Sequence, residues 1–180
     1  IHPQEEYPRR DHSRNRLARF FGTDPENVAR VRGVSEAFQA VLCGMDWQAG
    51  DQIIITAEEE AAVLLPVLHL PQQKGVECLR LPVNITAAEQ VESVRRMMDA
   101  GRVRLLAISH VSNVLGTINP IPTIACAARS VGAKILVDGA QGNMVCVDMS
   151  HRIKHQSQQL IVVDAALCPL EIRCEFCLLY

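Results

Sequence analysis

Asp138 stands directly after the apolar run Ile135-Leu136-Val137, and Gln141 follows it within the stretch ILVDGAQG. Such a run suits a strand buried on both faces, which would put the carboxylate at the carboxyl end of a sheet, where open parallel α/β folds bind ligands. A carboxylate there is useful if it faces a cationic ring nitrogen and costly if it faces nothing. In RGVSEA a glycine follows a strand pattern and Ser35 opens a helix pattern. Free N–H groups at that helix start, with the Ser35 hydroxyl, could hold a phosphate; alternatively Ser35 only caps the helix. A third place is SHVSNVLGTINP, whose Ser112 and Asn113 offer directional hydrogen bonds to a ligand. Its alternative is a plain turn built on Gly-Thr and Asn-Pro.

Other chemistry is weakly signalled. No G-x-G-x-x-G follows a strand pattern, so a nicotinamide or flavin site lacks its phosphate loop. Cys174-x-x-Cys177 with Cys168 has no second ligand pair, and His151 with His155 falls in an aperiodic stretch, so no metal site is expected. Cys43, Cys78, Cys126 and Cys146 lie in apolar contexts that suit small buried thiols.

The elements that must position these residues follow from periodicity. Short β-rich runs alternate with helical patterns from Val28 onward, the signature of βαβ units. Strands are predicted at Val28–Arg32, Gln52–Thr56, Val76–Leu81, Val103–Ser109, Lys134–Val137 and Gln159–Val163. Helices are predicted at Ser35–Gly44, Glu59–Leu70, Ala87–Ala100 and Pro122–Val131. Thr86-Ala-Ala-Glu89 reads as a capping box before a helix that Gly101 stops. Thr23-Asp-Pro-Glu26 has the same form but leaves room for only one turn before the first strand. The expected class is therefore α/β: three αβα layers around a mostly parallel sheet.

Totals bound the function. A chain of 180 residues that is 48% hydrophobic and 21% charged is ordinary for one globular domain. A formal net charge of −2 gives no reason to invoke nucleic acid. The one basic cluster, Arg9, Arg10, Arg14, Arg16 and Arg19, reads as a solvated helix face. No apolar run approaches the roughly 18 residues of a membrane span, and IHPQEEYPRR does not read as a signal peptide. Seven cysteines without framework spacing suit a reducing cytoplasm.

Taken in order, RGVSEA, GDQIIIT, ISHVSNVLGTINPI and ILVDGAQG resemble the class V aminotransferase family of fold-type-I pyridoxal-phosphate enzymes, and within it the cysteine desulfurase and selenocysteine lyase branch. The resemblance covers residues 14 to 149. It implies that the chain is part of a cofactor-binding large domain, that the cofactor is pyridoxal 5′-phosphate, and that the substrate is a small amino acid. It also implies a homodimer. Asp138 would pair with the pyridine nitrogen, and Gln141 would bond the phenolic oxygen. Asn113 would lie beside that oxygen near the substrate, and Ser35 would take the place of a phosphate-binding threonine.

Two departures accompany these matches. In the family a histidine stacks on the cofactor ring; matching the following proline to Pro66 puts Glu60 in its place. The family's Schiff-base lysine lies in a Ser-x-His-Lys stretch after the next strand, whereas here Asp164-Ala-Ala-Leu-Cys-Pro169 follows and Ala165 takes the lysine position. Lys154 is the nearest lysine but lies too early, and no cysteine matches the desulfurase nucleophile. The expected organisation is a helical segment over 1–22, the central part of the large domain over 23–163 and an atypical tail over 164–180, without the small C-terminal domain. That pattern suits a truncated or divergent chain that does not complete the family's chemistry. The rival readings are a non-catalytic binding or regulatory module and an unrelated nucleotide-binding α/β domain.

Overall fold

The computed structural model describes residues 12–16, 18–19, 24–82 and 85–141, together with strand backbone at 160–163 and 176–179. Residues 12–16 and 18–19 are helical, with Arg16 and Arg19 exposed and Ala18 buried. A single 3-10 turn over Pro25–Asn27 then leads into β1 (Val28–Arg30). Asp24 makes no side-chain cap on that turn, and Thr23 lies outside the described residues.

The rest alternates helix and strand: α1 (Val34–Gly44), β2 (Gln52–Thr56), α2 (Ala61–Lys74), β3 (Glu77–Leu81), α3 (Ala87–Ala100), β4 (Val103–Ser109), α4 (Ile121–Ser130) and β5 (Lys134–Asp138). Strands β6 (Leu160–Val163) and β7 (Phe176–Leu179) complete a sheet of order β1-β7-β6-β5-β4-β2-β3. The pairs β2–β3, β2–β4, β4–β5 and β1–β7 are parallel.

Helices cover both faces, which is why the central strands read as continuous apolar runs. On one face Ile53, Ile55, Leu105, Ala107 and Leu136 pack against Val34, Phe38 and Leu42 of α1 and Val63 and Val67 of α2. On the other, Ile54, Leu106, Ile108, Ile135 and Val137 meet Val94 and Met98 of α3 and Ile124 and Ala128 of α4. The expected αβα layering is therefore what the chain forms.

The structure departs from the sequence expectations at three elements. Helix α2 begins at Ala61 rather than Glu59, because the Glu59 side chain is bound into the end of β4, and it runs through Pro66 and Pro71 to a left-handed Gly75. Strand β7 is not among the strands that the sequence pattern predicts. Strand β6 is antiparallel to both neighbours, with Asp138 opposite Ile161 and Leu136 opposite Val163. Its carboxyl end therefore points away from the end of the sheet that carries Asp138.

The Thr86 capping box forms as the sequence predicts. Glu89 N–H donates to Thr86 Oγ1 at 3.3 Å, and Thr86 N–H donates to Glu89 Oε2 at 2.7 Å. Thr86→Ala should cost about 1 kcal/mol, whereas Leu136→Ala, which empties a fully buried site, should cost about 2–5 kcal/mol. Urea denaturation of the two variants measures both.

Candidate functional site

Parallel pairing ends β4 and β5 side by side, with Ser109 opposite Asp138. Side-chain alternation continues from Ala107 and Leu136, so both residues face the α1 and α2 side of the sheet. His110 N–H donates to the Asp138 carbonyl at 2.8 Å and locks the two strand ends together. The Asp138 side chain is 4% exposed, and Ala140 N–H donates to its Oδ1 at 2.9 Å. Among the described residues the carboxylate has no other hydrogen bond and no cation. Burial pushes its pKa up, the Ala140 N–H opposes that, and the Glu60 carboxylate adds to it.

Glu60 reaches this place from the N-cap of α2, where its carbonyl accepts from Val63 N–H at 3.0 Å and Leu64 N–H at 2.8 Å. Its side chain is exposed. Glu59, which the sequence reading did not single out, is buried. Its Oε1 accepts from Thr56 Oγ1 at 2.5 Å, its Oε2 from Ser109 Oγ at 2.5 Å, and both oxygens lie 3.1 Å from Ser109 N. Burial raises the Glu59 pKa against these hydrogen bonds. The sequence signals for it are its place just past a strand of the sheet and its position one residue before Glu60 in the stretch matched to the family.

The loop after β4 is more structural than its composition suggests. Ser112 is buried, and its hydroxyl accepts from Val114 N–H and Leu115 N–H at 3.2 Å each, so it holds the turn instead of facing a ligand. Gly116, at φ 73, closes that turn with its N–H on the Ser112 carbonyl at 3.0 Å. Asn119 Nδ2 donates to the Ser109 carbonyl at 2.6 Å, and Gln90 Nε2 donates to Asn119 Oδ1. Asn113 is left exposed at the tip, with no side-chain partner among the described residues. Thr117 Oγ1, 3.3 Å from Glu58 Oε2, ties the loop to the turn that carries Glu60.

Ser35 is exposed in the first turn of α1 and makes no side-chain cap. Val34 beside it and Ala140 beyond Asp138 pack on the same core, which brings the helix start and the Asp138 turn to one side of the sheet. The Glu36 carboxylate, however, already accepts from Arg32 N–H there. Gln141 is exposed at the end of the described segment. Glu60 acts on Asp138 through its charge, while Ser35, Asn113 and Gln141 make no side-chain hydrogen bond with one another among the described residues.

Of the three lysines in the sequence, Lys134 opens β5 and Lys74 closes α2. Gly75 accepts from Gly50 N–H at 2.9 Å, which places the end of α2 beside the start of β2. Both lysines therefore lie at the amino end of the sheet, away from Asp138. Lys154 and Ala165 fall outside the described residues, as do His151, His155, Cys146, Cys168, Cys174 and Cys177. Cys43, expected as a buried thiol, is exposed on the outer side of α1, where Gln39 Nε2 lies 3.0 Å from its sulfur. Cys78 and Cys126 are half-buried.

The donor set fits a pyridine ring at one end: Asp138 is a buried acceptor with no cation among the described residues, and a protonated ring nitrogen would supply one. It does not supply an amine from the described lysines. The aminotransferase class-V family pattern matches residues 4–153. The chain belongs to the class-V aminotransferase family.

A cysteine desulfurase of Cronobacter sakazakii is 42% identical over 137 residues, which are 73% of this chain and 33% of that protein. One of Salmonella typhimurium is 40% identical over the same shares. The chain thus spans about a third of the length of these relatives. Among solved structures, the cysteine desulfurase CsdA of Escherichia coli superposes with a TM-score of 0.71 at 27% identity, covering 85% of this chain and 39% of that one. The cystine C-S lyase C-DES, solved with its product cysteine persulfide, gives 0.66 at 25% identity, covering 82% and 41%. A C-DES variant carries glycine covalently linked to its pyridoxal-phosphate cofactor. The family match overturns the reading as an unrelated nucleotide-binding domain.

The raised Asp138 pKa has a stability consequence. Below its ordinary value of 3.8 the carboxyl is protonated whether folded or unfolded, and the contribution to stability is whole; it is lost as pH rises through the higher native value. Asp138→Asn, which keeps an acceptor for Ala140 N–H, should be more stable than the parent at pH 8 and equal to it at pH 3. Urea denaturation at the two pH values checks this.

Proposed function

We propose that this chain is the cofactor-binding part of a pyridoxal-phosphate-dependent, cysteine desulfurase-like enzyme, and that the chain itself holds the cofactor without covalent attachment. The observation that carries the reading is Asp138: a carboxylate buried at the carboxyl end of the sheet with no cation among the described residues. When bound, pyridoxal phosphate supplies a ring that withdraws electrons from the α carbon of an amino acid. Asp138 would keep the proton on the ring nitrogen, with Ala140 N–H fixing its orientation. Gln141 and Asn113, whose amides are exposed, would bond the phenolic oxygen and the substrate. Ser35 and the first amides of α1 would take the phosphate, in competition with Glu36.

A cysteine-like substrate is supported by the relatives named as cysteine desulfurases and by the neighbour solved with cysteine persulfide. A homodimer fits the exposed apolar side chains Val114 and Leu115 on the loop that bears Asn113. A cytoplasmic setting suits thiols at Cys43 and Cys78 that form no disulfide. A second reading, a non-catalytic binding or regulatory module, is favoured by Glu60, a charged side chain where the family resemblance places a stacking ring.

Titration of the purified chain with pyridoxal phosphate, followed by borohydride and peptide mass mapping, tests the proposal. Saturable binding without a trapped adduct is expected, and a stoichiometric adduct on Lys154 would overturn the claim of non-covalent attachment. Asp138→Ala should weaken binding about tenfold or more, since a lost charge-assisted hydrogen bond is worth about 1.5–3 kcal/mol. Unchanged affinity would reduce Asp138 to a turn residue.

A further inference from the structure

The turn between β2 and α2 holds three consecutive glutamates, and only the middle one is buried. Glu59 occupies the end of β4 completely: its two oxygens share Ser109 N–H, and each also takes a hydroxyl, from Thr56 and from Ser109. No cation joins this set among the described residues. A carboxyl group buried among neutral donors is expensive for a turn that an apolar side chain could seat as well. What the arrangement achieves is placement. Residue 59 is fastened to the strand next to Asp138, so residue 60 is set at the N-cap of α2 close to the Asp138 end of the sheet.

The geometry points to Glu59 as a positioning residue: it locks the β2–α2 turn onto β4, beside Asp138, and so fixes residue 60 at that end of the sheet, on the margin of the place where the ring would sit. The ring rests on the proposed cofactor reading; the attachment of the turn to β4 does not. The part that Glu60 plays in raising the Asp138 pKa agrees with this geometry.

Carboxyl-carbon NMR titration of the full chain without cofactor, paired with a pyridoxal-phosphate titration, tests the assignment on the parent, Glu59→Gln and Glu59→Ala. The glutamine keeps an acceptor for Ser109 N–H and can donate to a hydroxyl oxygen; the alanine releases the turn. Asp138 should titrate in Glu59→Gln as in the parent and at lower pH in Glu59→Ala. The cofactor dissociation constant should rise about tenfold in Glu59→Ala and recover most of the way in Glu59→Gln. An Asp138 titration in Glu59→Ala that matches the parent overturns the assignment. If Glu59→Ala does not fold, Ser109→Ala, which removes one hydroxyl donor and keeps the N–H, should shift Asp138 in the same direction; no shift overturns the assignment. Should the parent bind no pyridoxal phosphate, the cofactor reading fails, and the Asp138 titration still decides the role of Glu59.

Discussion

The structure depends on burial of β4 and β5 from both sides. Helices α1 and α2 close one face and α3 and α4 the other, so neither strand has a solvent side on which to place a polar group. Polar side chains are admitted only near the strand ends, Arg104 and Lys134 at the start and Ser109 and Asp138 at the stop. Ser109 and Asp138 stop in register, and the hydrogen bond from His110 N–H to the Asp138 carbonyl keeps those stops level. Everything at the site is then arranged around that shared edge: the Glu59 carboxyl on Ser109, the Asn119 amide on the Ser109 carbonyl, and the Asp138 turn closed by Ala140.

This edge is a costly place for carboxyl groups, and two of them occupy it. Each offsets its burial differently. Glu59 is held by several neutral donors, so it is bound in place whatever its protonation state. Asp138 has one donor among the described residues, and the charge of Glu60 adds to the cost of its burial. The two otherwise similar side chains thus differ in how far the fold itself compensates their burial. His110 shows the same economy from the other sign: its imidazole is buried with Nε2 unpartnered among the described residues, and burial pushes its pKa down, against the charged form.

Much of this was legible in the sequence, because local patterns carry it. The apolar runs Ile53–Ile55 and Leu105–Ile108 could only be strands covered on both sides, and the Thr86–Glu89 spacing marked the start of α3 to the residue. Asp138 was legible for the same reason: it ends an apolar run. Glu59 was not, since three glutamates in a row give no local sign of which one turns inward; that is decided by Ser109, fifty residues on. Ser112 looked available for a ligand because its hydroxyl type suits that task, but its two backbone partners lie in the same turn and claim it first. The direction of β6 was not legible either, because alternation and β propensity are the same read forwards or backwards.

That reversed strand alters how chain and site relate. In a parallel sheet a strand delivers to the ligand edge whatever comes after it, so the eye scans downstream for the missing group. Here Ile161, near the beginning of β6, lies opposite Asp138, and Val163 at its end lies deeper, opposite Leu136. The polarity of one short strand thus exchanges its two ends: the residue written earlier sits at the edge shared with Asp138, and the one written later sits deeper in the sheet.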